Sequence, residues 1–170
     1  MSNLSFLSKI LEKVVLCQLS SHLLTNILFC FHQSAYHAGH STERVLLNIV
    51  NDLLSALDED KVTLLLLLDL SAAFDTIDHS ILLSRLSYSF AISDTVLAWF
   101  TSYLIVRTQI ISVNGSKSLP APIHYGVPKG SVLGPILFVL YTQPLSKITQ
   151  HHLYITTAFL MITSSTFLPT

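Results

Sequence analysis

A chain of 170 residues is one domain's worth of protein, or a piece of something larger. Hydrophobic residues make up 51% and charged residues 11%, against about 25% charged in an ordinary soluble domain, so the chain can bury a core but has little charge with which to cover it. A net charge of −1 excludes a global basic field for nucleic acid, and Cys17 and Cys30 form neither a disulfide framework nor a metal-ligand pattern, which points to a reduced, intracellular setting.

The opening "MSNLSFLSKILEKVV" is interrupted by Lys9, Glu12 and Lys13, so it does not have the form of a signal peptide. Leu4, Leu7, Ile10, Leu11, Val14, Val15 and Leu19 recur at helical spacing with those charges around the other face, which predicts an amphipathic helix with the leucines inward. A polar, His-rich stretch follows over residues 31–43. Ser41 or Thr42 is placed to cap the next helix, which points Val45, Leu46, Ile49, Leu53, Leu54 and Leu57 inward, with Glu43 in its first turn. "KVTLLLLLDL", residues 61–70, has the length and unbroken apolarity of a strand buried on both faces.

Asp78 then caps a helix carrying Ile81, Leu82, Leu83 and Leu86, and Ser93 or Asp94 caps "TVLAWFTSYL". "TQIISVNGSKSLPAPIHYGV" predicts a hairpin turning at Asn114-Gly115, its second strand pushed to an edge by Pro120 and Pro122. "GSVLGPILFVLYTQPL" predicts a buried helix with Pro135 near its start. Helices, strand, helices, hairpin and helix in that order suggest an α+β domain. No internal repeat or linker divides it.

Asp69 is the residue most at odds with its surroundings. A carboxylate after five leucines, at the end of a buried strand, costs several kcal/mol unless something compensates it. It is either a strand-end or cap residue at the surface, or a metal ligand aimed by a rigid element.

The surrounding segments narrow that choice. "DLSAAFDTIDHSILLSRL", residues 69–86, resembles motif A of the reverse transcriptases of non-LTR (LINE-type) retrotransposons, and "YGVPKGSVLGPILFVLYTQPL", residues 125–145, resembles their motif B. "FHQSAYHAGHSTERVLL" resembles the fingers segment before motif A, and "LSFLSKILEKVV" its lead-in. The resemblance runs in the expected order from about residue 2 to residue 154. It implies part of the fingers and palm of a right-hand polymerase, and the copying of an RNA template onto a DNA primer with deoxynucleotide triphosphates. In such enzymes two Mg²⁺ ions hold the attacking hydroxyl and the departing pyrophosphate in line.

By this resemblance Asp69 is the motif A metal ligand. Phe74 stands at the steric gate against a ribose 2′-hydroxyl. Pro128, Lys129 and Gly130 stand where motif B meets template and nucleotide, Gly130 supplying bare backbone. Asp75 and Asp78 are structural. The expected setting is cytoplasmic or nuclear, with no membrane. The chain departs from the family where Gln is common and it has Lys129, and where Arg-Pro is common and it has His37-Ala38. A neutral His supplies neither the fixed charge nor the forked donors of Arg. His37 with His40, and His151 with His152, lack the Cys or acidic partners of a zinc site.

The family's YADD-type motif C is due near residue 154. No acidic residue follows Asp94, and none of Asp, Glu, Lys or Arg follows Lys147. Two of the three metal ligands are therefore missing. Codons CTG for Leu160, ATG for Met161 and ATH for Ile162, read from the last base of the first, give GAT GAT, Asp-Asp. The same frame permits the family's flanks, "YHCF" before and "QLYI" after, and fails only at the residue before Asp-Asp, where Phe159 followed by CTG gives Ser or Pro in place of Ala. Residues 1–154 are accordingly expected to be partial reverse transcriptase domain and 155–170 an out-of-frame tail, the frame slipping near residues 152–154. The expected protein is a catalytically dead fragment. Two other classes are a nucleic-acid-binding remnant without catalysis, and a small membrane-associated protein anchored by the uncharged tail.

Overall fold

The computed structural model describes residues 6–29, 41–63, 65 and 72–152, with side chains as far as residue 145. The chain divides into two compact units, Met1–Leu28 with Ala72–Tyr141, and Phe29–Ser71 with Thr142–Thr170. Five helices and four short strands make it α+β among the described residues: α1 (Phe6–Thr25), α2 (Thr42–Asp58), α3 (His79–Phe90), α4 (Asp94–Ile105), β1 (Thr108–Gln109), β2 (Ser112–Val113), β3 (Ser116–Lys117), β4 (Ala121–Pro122) and α5 (Gly134–His152). Among the described residues, no helix is long and apolar enough to cross a membrane.

In the first unit, α1 forms where the periodicity predicts, but with a different face inward. Glu12, Leu19 and Leu23 are buried, while Leu7 is 76% exposed and Ile10, Leu11 and Val14 are exposed as well. The expectation that Lys9, Glu12 and Lys13 share a solvent face fails at Glu12. The buried row of Glu12, Leu19 and Leu23 is still a helical stripe. It is rotated so that one carboxylate meets hydrogen-bond donors that no local pattern reveals.

The Asp78 side chain caps α3, accepting from Ser80 N at 2.8 Å and Ile81 N at 3.0 Å. α3 buries Leu82, Leu86 and Phe90 and leaves Ile81 exposed. It ends at Ala91 in the left-handed conformation (φ 53°), with Ile92 N donating back to Leu86 O at 3.0 Å. α3 packs against α4, which buries Phe100 and Leu104. Ser93 occupies the N-cap of α4 but makes no capping bond; its hydroxyl donates to Asp94 instead. α1 is tied to the end of α3 by the His22 ring, 2.8 Å from Phe90 O. Leu133, Leu137 and Leu140 on or beside α5 are fully buried, and Pro135 sits in the first turn of that helix, where its missing N–H costs nothing.

The hairpin forms as two ladders. Asn114 (φ 48°) and Gly115 (φ 83°) make the two-residue turn, and β2 pairs antiparallel with β3, Ser112 opposite Lys117. β1 pairs with β4, Thr108 opposite Pro122. The register slips by one residue between the ladders, so the second strand carries an extra residue, a bulge, and there the Ser118 hydroxyl accepts from Ile111 N at 3.0 Å.

In the second unit, Ser41 caps α2 by accepting from Arg44 N at 3.2 Å. Val45 and Ala56 are buried, whereas Leu46, Leu54 and Leu57, expected inward, are exposed. Of the predicted leucine strand, Lys61, Val62, Thr63 and Leu65 are described; all four are exposed and none is in a strand, so the doubly buried strand does not hold at those positions. Its remaining leucines and Asp69 lie outside the described residues, as do His37, Ala38, His40, Cys30 and the tail from residue 153.

Candidate functional site

The first unit joins two segments distant in sequence. Residues 72–79 run through tight turns into α3. Residues 125–134 run through a loop into α5. Gly126 N donates to Ile77 O at 2.8 Å and Val127 N to Phe74 O at 2.9 Å, and Asp78 bridges Tyr125 antiparallel. The approach is close enough that a Cβ on Gly126 would lie 2.9 Å from Asp75 Cα. Gly126 carbonyl oxygen receives two side chains: the buried His79 ring at 2.8 Å, its Nε2 carrying the proton because a carbonyl can only accept, and Arg107 at 3.1 Å. Partial burial holds the Arg107 guanidinium below its usual pKa.

Of the sequence-predicted residues, Asp69 lies outside the described residues, and this lacing brings Phe74 beside the loop that carries Pro128, Lys129 and Gly130. Phe74 is half-buried, its ring edge-on to Phe138 of α5 with centroids 5.7 Å apart. Pro128 is buried, and Lys129 and Gly130 are exposed at the tip of a turn closed by Ser131 N donating to Pro128 O at 2.9 Å. Gly130 (φ 77°) occupies the turn position that demands positive φ, with nothing within 4 Å of where its Cβ would be. Lys129 reaches Asp75 at 3.6 Å, an exposed ion pair worth about 0–1 kcal/mol.

Behind the turn lies a constellation that the sequence did not reveal. The Glu12 carboxylate, 2% exposed, accepts from Val132 N at 2.5 Å, Leu133 N at 3.4 Å, the Ser131 hydroxyl at 3.0 Å and the Tyr103 hydroxyl at 3.2 Å. Tyr103 and Ser131 hydroxyls are themselves 2.7 Å apart, and Ser131 Oγ accepts from Leu133 N and Gly134 N. Four donors compensate the buried charge, and the first turn of α5 adds its positive end. Burial raises the Tyr103 phenol pKa well above its ordinary value, and the Glu12 charge adds to the rise. Trp99 stacks on Tyr103 (5.3 Å, 10°). A groove of about 870 Å³ opens here, its walls including Trp99, Tyr103, Arg107, Tyr125, Pro128 and Lys129.

The described residues do not fit a two-ion metal site. They hold no cluster of three or more His, Cys, Asp or Glu able to bind a metal. Asp78 is committed to its helix cap and Asp75 to Lys129.

A family model described as reverse transcriptase (RNA-dependent DNA polymerase) matches residues 1–166. The chain is similar to the probable RNA-directed DNA polymerase from transposon BS of Drosophila melanogaster, 30% identical over 152 residues, which are 89% of this chain and 17% of that protein. It is similar at 30% identity to the corresponding polymerase from transposon X-element of the same fly, over 86% of this chain and 16% of that protein. It also matches the RNA-directed DNA polymerase from mobile element jockey at 30% identity, over 92% of this chain and 18% of that protein. The chain therefore spans less than a fifth of the length of these relatives.

Proposed function

Because the chain belongs to the reverse transcriptase (RNA-dependent DNA polymerase) family, we propose that it carries part of the fingers and palm of a non-LTR retrotransposon polymerase and does not itself polymerise DNA. The observation that carries the second half is the absence of any carboxylate beyond Asp94, where the family places two of its three metal ligands. In the ancestral enzyme, Asp69 and two motif C carboxylates that this chain lacks would hold Mg²⁺, which would supply charge stabilisation at the entering and leaving oxygens. The role of the present residues is confined to shaping. Phe74, its ring packed on Phe138 and its carbonyl accepting from Val127 N, stands beside the motif B loop. Pro128, Lys129 and Gly130 offer a rigid turn with one cation and one bare backbone position to a template strand and an incoming nucleotide. Residues 155–170 fit best as motif C translated in the wrong frame.

The test is extension of a DNA primer annealed to an RNA template by the purified chain, with Mg²⁺ and then with Mn²⁺. No extension above background is expected. Template-dependent extension that disappears in Asp69→Ala would overturn the proposal.

A further inference from the structure

The resemblance assigns no role to Glu12, Tyr103 or Ser131, although Glu12 lies in the lead-in segment and Ser131 in motif B, and a buried carboxylate far along the chain from its partners asks for a purpose. Its four donors come from two places. Tyr103 belongs to α4, and the Ser131 hydroxyl with the amides of Val132 and Leu133 belongs to the stretch joining the Pro128 turn to α5. The residues contacted begin immediately after Gly130. The opposite side of the same turn is held by Val127 N on Phe74 O and by Ser131 N on Pro128 O. The turn is thus clamped at both ends, and among the described residues Glu12 and Tyr103 are the ionisable side chains of the second clamp.

We infer that Glu12 is a positioning residue: through backbone amides and the Ser131 and Tyr103 hydroxyls it sets the height and tilt of the 128–131 turn, and so the presentation of Lys129 and Gly130 to nucleic acid. This rests on the proposal that the turn is the nucleic-acid-facing part of motif B. The physical basis is the acceptor count. A carboxylate offers two oxygens and about four lone-pair sites and can accept all four donors at once. A side chain of the same volume without acceptors would fill the space but leave Val132 N–H and the hydroxyls to find other partners, and the turn would be free to shift. Tyr103 extends the same device to the groove wall, because its ring carries Trp99 on one face.

The experiment compares Glu12→Gln with Glu12→Met. Both keep the length of the side chain; one retains an acceptor. Amide hydrogen exchange is followed over the whole chain, and binding of an RNA oligonucleotide annealed to a DNA primer is read from the fluorescence of Trp99, the one tryptophan in the sequence. In Glu12→Met, exchange across 127–134 should accelerate about tenfold while α3 and the first turns of α4 stay protected, and affinity for the duplex should fall about fivefold or more. Glu12→Gln should recover most of both. Equal protection of the turn in the two variants, or acceleration spread evenly through α3 and α4, would overturn the inference by showing that Glu12 acts as packing or as a general stabiliser. Should Glu12→Met fail to fold, Tyr103→Phe removes a single donor from the same network. It should loosen 127–134 by a smaller factor, and no change there would also overturn the inference. A wild-type chain that does not bind the duplex would defeat the reading of the 128–131 turn as facing nucleic acid, and the exchange comparison would still decide whether Glu12 positions that turn.

Discussion

A Cβ on Gly126 would press on Asp75 Cα and on Phe74 O at 3.0 Å, both backbone atoms that cannot swing aside. A Cβ on Gly130 would meet nothing within 4 Å. Both glycines have positive φ, 81° and 77°, so alanine at either is strained by the backbone. Only at Gly126 does a steric clash add to that strain. Gly130→Ala should therefore destabilise the fold by about 1 kcal/mol, and Gly126→Ala by about 3 kcal/mol or more, measured as shifts in the denaturant midpoint. Equal costs would mean that the two motif segments are not laced as closely as described. Both glycines stand in the quoted "YGVPKGS", but the sequence singled out Gly130 by resemblance and passed over Gly126. Resemblance marks where a ligand is met; the close approach of two distant backbones becomes visible only when the chain is folded.

Among the elements, α3 shows local rules working nearly undisturbed. Asp78, one residue before the helix, is predicted as its cap and serves as its cap. The Ser80 hydroxyl, followed by the Ile81 and Ser80 amides, favours the charged form and holds the carboxyl below its ordinary value of 3.8. A group whose pKa is depressed by folding stabilises above its unfolded pKa, and that contribution fades as pH falls through the folded value. The melting temperature of Asp78→Ala should accordingly lie below wild type at neutral pH, and the gap should stay full down to about pH 4 and close at lower pH. A gap that persists unchanged at pH 2 would remove the carboxylate from the cap. α1 shows the opposite case. Its period is read correctly and its orientation is not, because the periodic signal counts leucines, whereas the orientation is decided by where Glu12 can be satisfied. Burial of Glu12 is tolerable only because the Val132 and Leu133 amides and the Ser131 and Tyr103 hydroxyls meet it there.

At the scale of the whole molecule, low charge does what the composition implies. Apolar side chains remain exposed on α1 and along the hairpin, where Leu119 is 88% exposed, as expected of a surface with too few charges to cover it. The family match itself continues past Tyr154 to residue 166, so the nucleotide sequence decides the nature of the tail. We expect the DNA to read GATGA across the codons of Leu160 to Ile162, with the shifted frame open and free of stops from Ile155 to Phe167. A Leu160 codon of CTA, CTT, CTC or TTA, or stops scattered through that frame, would refute the frame shift.

The sequence by itself determined the family, the α+β class, four of the helix starts and the hairpin turn, because motifs, caps and an Asn-Gly pair act within a few residues and carry their chemistry with them. Only the tertiary structure decided which face of α1 turns inward, and that Glu12, Tyr103 and Ser131 meet behind the motif B turn. It also decided that Gly126 is the point of closest contact between the two motif segments. Those outcomes depend on matching donors with acceptors across 91 to 121 residues of chain, and no periodicity or local propensity reaches that far.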